Sequence, residues 1–132
     1  MIFCVYLLIG FFAIIMSCGD GLDEDADLAR LAALREEALL LIGEASCSEI
    51  GECRSLPFGA KPCGGPREYL IYSIINSDTL KFREKVDEYN SWNEVLNKRY
   101  GYMSDCMLVE EPQLVCLDGK CVDRNKIGGN RR

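Results

Sequence analysis

Six cysteines fall between residues 47 and 121 of this chain, and no histidine occurs at any of its 132 positions. No two of these cysteines are separated by only two residues, which is the spacing common in zinc sites. An even number of cysteines in a short domain indicates disulfide bridges and an oxidising, extracytoplasmic compartment. We therefore predict a disulfide-stabilised domain without metal or cofactor; the spacing leaves the pairing open among Cys47, Cys53, Cys63, Cys106, Cys116 and Cys121.

An uncharged, mostly apolar segment of residues 1–17 precedes a further cysteine, Cys18. A membrane-spanning helix needs about 20 apolar residues, so this segment is closer in length to the apolar part of a signal peptide. Ile15-Met16-Ser17-Cys18 resembles a bacterial lipobox. The resemblance implies that residues 1–17 are a signal peptide and that Cys18 becomes the lipidated N-terminus. The alternatives are a secretory peptide cleaved after Gly19 and an uncleaved anchor.

The charge distribution suggests how the rest of the chain is organised. Residues 20–27 carry five acids and no base, whereas residues 124–132 carry four bases and no acid. We predict an acidic tether at 18–27, a single cysteine-rich domain at 28–123 and a basic flexible tail at 124–132. The net charge of -6 disfavours a nucleic-acid partner. The lipid on Cys18 would hold the protein at a membrane, in the periplasm or at the cell surface.

Two segments have apolar residues at helical spacing. The first runs from Asp23 to Ile42 and is followed by Gly43, a common helix terminator. In the second, Gly101 supplies the stop, and the stripe predicts core packing by Phe82, Val86, Tyr89, Trp92 or Asn93, Leu96 and Tyr100. The sequence therefore predicts two helices of about 20 residues, each with a face buried against the remainder of the domain.

Short apolar or β-branched runs predict strands at 52–56, 69–75, 106–109, 114–117 and 120–123. Asp118-Gly119 is a strong signal for a two-residue hairpin, in which Cys116 and Cys121 face each other. A bridge between these two cysteines is one of the open pairings. Together the elements predict an α+β fold in which two helices pack on a small, mostly antiparallel sheet.

The segment from Cys53 to Cys63 is the candidate partner-binding loop, because prolines and glycines shape it and cysteines bound it. Its Arg54-Ser55-Leu56-Pro57 resembles the reactive stretch of Bowman-Birk protease inhibitors. The resemblance implies that Arg54 enters a trypsin-like pocket, with Phe58 the alternative for a chymotrypsin-like pocket and Lys61 a weaker choice. The alternative interpretation is a tight connection between two strands.

The chain carries no enzyme signature. The absence of histidine removes the usual catalytic base, and the adjacent acids Glu36-Glu37 and Glu110-Glu111 have no implied cleft. The run Gly59-Ala60-Lys61-Pro62-Cys63-Gly64-Gly65-Pro66 resembles a segment of uncharacterised small bacterial lipoproteins, over about residues 47–122. That resemblance implies a common fold and transfers no activity. We predict a binding or structural module that is not an enzyme; a protease inhibitor is the alternative, and an enzyme of unknown type is the third choice.

Overall fold

The computed structural model describes residues 23–127. The predicted signal peptide, the lipidation site Cys18 and residues 128–132 of the tail lie outside this range. No helix within residues 23–127 has the length and apolar character needed to cross a membrane. The elements, in chain order, are α1 (Glu24–Ile42), a 3-10 turn (Ile50–Glu52), β1 (Cys53–Phe58), β2 (Glu68–Ser73), α2 (Thr79–Tyr100), β3 (Leu114–Leu117), β4 (Lys120–Asp123) and α3 (Arg124–Ile127).

The two long helices begin and end where the sequence predicts helix signals. Asp23 caps α1 by accepting a hydrogen bond from the Ala26 N–H at 3.0 Å. Asp78 does the same for α2, accepting from the Lys81 N–H at 3.3 Å. Gly101 ends α2 in the left-handed conformation, with a φ of 63°. Because α1 starts at Glu24 and α3 covers Arg124–Ile127, parts of the predicted tether and tail are helical.

The apolar core lies between these helices and the antiparallel β1–β2 hairpin. Its ring packing is tight, since Phe58 stacks on Tyr89 with a centroid distance of 4.0 Å and Tyr72 lies 4.9 Å from Phe82. The predicted stripe on α2 is confirmed as buried from Phe82 to Leu96, whereas Tyr100 is half-buried and its hydroxyl donates to Asp27. The buried members of the core are Leu34, Ala38, Ile42, Phe58, Leu70, Tyr72, Phe82, Val86 and Tyr89.

The β3–β4 hairpin has the predicted boundaries and register. Asp118 and Gly119 have positive φ values of 50° and 77°, as a type I′ turn requires, and Cys116 lies opposite Cys121. These two cysteines do not bond to each other. Cys116 bonds instead to Cys47, which precedes β1, and Cys121 bonds to Cys53, the first residue of β1. The third bridge, Cys63–Cys106, lies outside this hairpin.

The α+β class and the disulfide-stapled domain are therefore confirmed, with two changes in the strands. The strands form two separate two-stranded antiparallel sheets, β1–β2 and β3–β4. The strand predicted at 106–109 is absent, since residues 102–113 contain no strand. The physical reason lies at Cys106, whose φ of 53° is incompatible with a regular strand and whose sulfur bonds to Cys63.

Candidate binding site

The loop predicted from the sequence is not closed on itself, because Cys53 and Cys63 bond to different partners. Phe58 is only 1% exposed and stacks on Tyr89, so its suggested insertion into a protease pocket is wrong. The Lys61 side chain is 12% exposed and is committed to contacts within the protein. Arg54 is exposed on β1, where its guanidinium donates to the carbonyls of Gly51 and Cys53 at 2.8 and 2.7 Å.

An asparagine ladder on α2 holds this loop in place. The side-chain oxygens of Asn90 and Asn93 accept hydrogen bonds from the Gly59 and Ala60 N–H groups, at 2.6 and 2.8 Å. The Asn97 amide donates to the Ala60 carbonyl at 2.8 Å. Satisfied backbone groups cannot rearrange without leaving buried polar atoms unpaired, so the loop is rigid. The sequence prediction missed the ladder, although three asparagines at i, i+3 and i+7 along an apolar face were a visible signal.

The rigid loop supports a second segment, residues 102–113, which we call the anchored segment. It runs without a turn or bend between α2 and β3. The disulfide Cys63–Cys106 joins it to the loop, and the Lys61 ammonium donates to the Met107 carbonyl and to Asp105. A hydrogen bond from the Met107 N–H, followed by the Lys61 contact, lowers the pKa of Asp105 below its ordinary value.

Both ends of the anchored segment are tied to other elements. At its start, the Tyr102 hydroxyl donates to Glu24 in the first turn of α1, and this bond raises the pKa of Tyr102 to about 12. Near its end, Glu111 accepts a hydrogen bond from the Ser55 hydroxyl of β1 at 3.2 Å. The backbone is thus held on both sides of residues 108–110.

The anchored segment presents large apolar side chains to solvent. Leu108 is 94% exposed, Met103 93% and Met107 67%. A single exposed leucine is common on protein surfaces, whereas three large exposed apolar side chains within six residues make this segment a candidate for contact with another molecule. No residue of this surface was among the predicted site residues, because the run Cys106 to Val109 was interpreted as a strand.

The remaining candidate chemistry involves sulfur. The sulfur atoms of Cys47, Cys53 and Cys121 lie within 4.8 Å of one another and are buried. All three belong to disulfides and therefore do not offer the thiolate charge that metal ligation requires. The cluster is a structural one in the oxidised protein.

Comparisons of the chain with protein-family models, with curated proteins and with solved structures found no match. The resemblances to lipoproteins and to Bowman-Birk loops stay predictions. The anchored segment is identified as a candidate site from its geometry alone.

Proposed function

We propose that this protein is a lipid-anchored, extracytoplasmic module that binds a protein partner through the anchored segment. Three disulfides support an oxidising compartment, where such bridges persist. The lipobox-like residues ending at Cys18 are the basis for the anchor. A multiply acylated cysteine gains about 0.8 kcal/mol per buried methylene and would hold the domain at a membrane surface.

The observation that carries the binding proposal is the exposure of Leu108 on a backbone held on both sides. A segment that is already ordered loses little conformational entropy when it binds, so more of the contact energy appears as affinity. Met103 and Met107 add flexible side chains that adapt to an irregular partner surface.

Site-specific photo-crosslinking in intact cells tests this proposal. A photoreactive residue placed at position 108 should give discrete protein adducts, and the additional substitution Met107→Asp should abolish them. The matched control is position 40, where Leu40 is 81% exposed on α1 but lies far from the anchored segment in sequence. The same adducts at both positions, or none at position 108, would contradict the assigned surface.

The lipid anchor has a separate test. Intact mass of the membrane-extracted protein should show lipid on Cys18, and the mass gained on reduction should correspond to three bridges. Cys18→Ser should move the protein from the detergent phase to the aqueous phase. An unmodified Cys18 in the membrane-extracted protein would reject the anchor and leave the binding surface untouched.

A serine-protease inhibitor is the second candidate, and the structure favours a different contact residue from the one predicted. Leu108 has the size that a hydrophobic specificity pocket accepts, and it lies between the Cys63–Cys106 bridge and the Ser55–Glu111 hydrogen bond. We expect Leu108→Ala to weaken inhibition of a chymotrypsin-like protease. The Bowman-Birk resemblance instead predicts that Arg54→Ala weakens inhibition of a trypsin-like protease. Rapid, complete cleavage by both proteases at stoichiometric ratio would exclude this function.

A further inference from the structure

A cavity of about 430 Å³ that is widely open to solvent lies between the two long helices and the start of the anchored segment. This is within the range of about 300–1,000 Å³ that is usual for small-molecule sites. One part of its wall is apolar and another part is polar, a division that suits a ligand with two chemically different ends. The apolar wall consists of Leu28, Leu31 and Met103, and the polar wall consists of Arg67, Tyr89, Asn93 and Tyr102.

Arg67 is the positioned cation of this cavity. Its aliphatic stem lies over Gly59, where an added Cβ would be 2.9 Å from the Arg67 Cβ. Its Nε donates to Asn93 and to the Ala60 carbonyl, both at 3.1 Å, and its Nη2 donates to Asn97 at 3.2 Å. The asparagine ladder therefore holds the guanidinium in one orientation.

The guanidinium has donor capacity left over. No carboxylate of residues 23–127 forms an ion pair with Arg67, whereas the neighbouring Arg35 pairs with Glu68 at 2.6 Å. The bonds to Ala60, Asn93 and Asn97 use Nε and Nη2, and Nη1 has no hydrogen-bond partner among residues 23–127. The Nη1–Nη2 edge of a guanidinium has the geometry that binds a carboxylate through two parallel hydrogen bonds.

The two tyrosine hydroxyls of the cavity are uncharged, and the proton of Tyr102 is already donated to Glu24. Burial is the main factor that raises the pKa of Tyr89, so its hydroxyl keeps its proton at physiological pH. Tyr102 likewise stays protonated through its bond to Glu24. Within the part of the chain that the structure describes, Arg67 is therefore the one charged residue that lines the cavity, and the Glu24 carboxylate beside Tyr102 already accepts a hydrogen bond from its hydroxyl.

We propose that this cavity binds a small amphipathic carboxylate, with its carboxylate on Arg67 and its hydrocarbon chain against Leu28, Leu31 and Met103. Met103 belongs to both the proposed protein-binding surface and the cavity wall, so the two sites share one side chain.

Octanoate is the probe for this proposal. Binding to the oxidised protein can be followed by fluorescence of Trp92, the only tryptophan, which is adjacent to Asn93 and donates to the Asp27 carbonyl at 3.2 Å. Amide signals of residues 28, 31 and 93 in NMR titrations locate the site. We expect saturable binding of octanoate, much weaker binding of octanol, and a loss of about tenfold or more in octanoate affinity for Arg67→Met.

Two further variants keep the test decisive if Arg67→Met disturbs the fold. Arg67→Lys retains the charge but lacks the planar fork, so it should weaken octanoate binding less than Arg67→Met. Leu28→Ser should weaken binding through the apolar wall, while Leu40→Ser, on the same helix outside the cavity, should leave it unchanged. Equal binding of octanol and octanoate, unchanged affinity of Arg67→Met, or no response to millimolar octanoate would overturn the proposal.

Discussion

Two regions of this molecule are each stabilised by a different kind of interaction. The helical half, formed by α1, α2 and the β1–β2 hairpin, buries large side chains such as Phe82 and Phe58 almost completely. The cystine half, formed by residues 44–53 and the β3–β4 hairpin, buries mainly the cysteines Cys47, Cys53 and Cys121. Its strands are four residues long, and isolated hairpins of this size are marginally stable at best. Covalent bonds replace apolar burial where too little apolar surface exists.

β1 joins the two halves. Its first residue, Cys53, bonds to Cys121 of β4, and its last residue, Phe58, stacks on Tyr89 of α2. A single strand of six residues is therefore fixed covalently at one end and by aromatic packing at the other. The comparison predicts that each half can be destabilised separately, with loss of hydrogen-exchange protection confined to the half that carries the substitution.

Removing both bridges of the cystine half should have the largest effect. The fourfold change Cys47→Ser, Cys53→Ser, Cys116→Ser and Cys121→Ser should lower the free energy of unfolding by about 2–4 kcal/mol per bridge, since each bridge constrains the unfolded chain. Hydrogen exchange should show loss of protection in β3 and β4. Amides of α2 should remain protected, because the helical core keeps its buried side chains.

The control for this experiment is the double change Cys63→Ser and Cys106→Ser. It removes a bridge of comparable Cα separation, 5.8 Å against 5.9 and 5.5 Å, but frees the anchored segment instead of the hairpin. Protection in β3 and β4 should survive in this control. Equal loss of protection throughout the fourfold variant would show that the two halves unfold as one unit.

Phe82→Ala is the corresponding perturbation of the helical half. Phe82 is fully buried, and deletion of such a ring costs about 3–5 kcal/mol through lost transfer energy and the cavity left behind. The measurement is denaturant unfolding of the oxidised protein, combined with hydrogen exchange. Exchange should accelerate in α1 and α2 while Cys121 and its neighbours in β4 stay protected. Faster exchange confined to β4 would contradict the division.

The sequence predicted the helical half more accurately than the cystine half, for a physical reason. Helix position follows from local periodicity and capping, and Gly101 and Asp78 act within a few residues of where they stand. The β3–β4 register was also predictable, because the Asp118-Gly119 turn is local. Disulfide pairing depends on which segments meet in space, and the spacing of cysteines does not contain that information.

The candidate surface of the anchored segment was not visible in the sequence for a related reason. The sequence predicted a partner-binding loop between Cys53 and Cys63, with a strand ending at residue 56. Strand β1 instead extends to Phe58 and places the Phe58 ring in the core. The exposure of Leu108 depends on the left-handed conformation of Cys106 and its bond to Cys63, which are non-local features. From sequence alone, a short apolar run such as residues 106–109 predicts a buried strand, because the long-range contacts that fix its conformation are not visible in the sequence.

The asparagine ladder provides a perturbation of intermediate size within the helical half. Asn93→Ala removes the acceptor of the Ala60 N–H and of Arg67 Nε, and an unsatisfied buried donor costs about 1–3 kcal/mol. The matched control is Glu94→Ala, the next residue on α2, whose exposed ion pair with Lys98 contributes little. Thermal unfolding should separate the two variants. Equal stabilities would show that water replaces the lost acceptor.

The smallest expected effect concerns the junction between α1 and the anchored segment. The bond from Tyr102 to Glu24 raises the pKa of Tyr102 from 10.0 to about 12, so the folded protein holds this proton more tightly than the unfolded chain. Its contribution to stability is therefore complete below the ordinary tyrosine pKa and is lost as the pH rises through about 12. Glu24→Gln should return the Tyr102 titration, followed by tyrosinate absorbance, toward its ordinary range, and Tyr102→Phe identifies the signal. An unchanged titration in Glu24→Gln would mean that burial alone raises the pKa of Tyr102. The hydrogen bond to Glu24, which joins α1 to the anchored segment, would then have no effect on it.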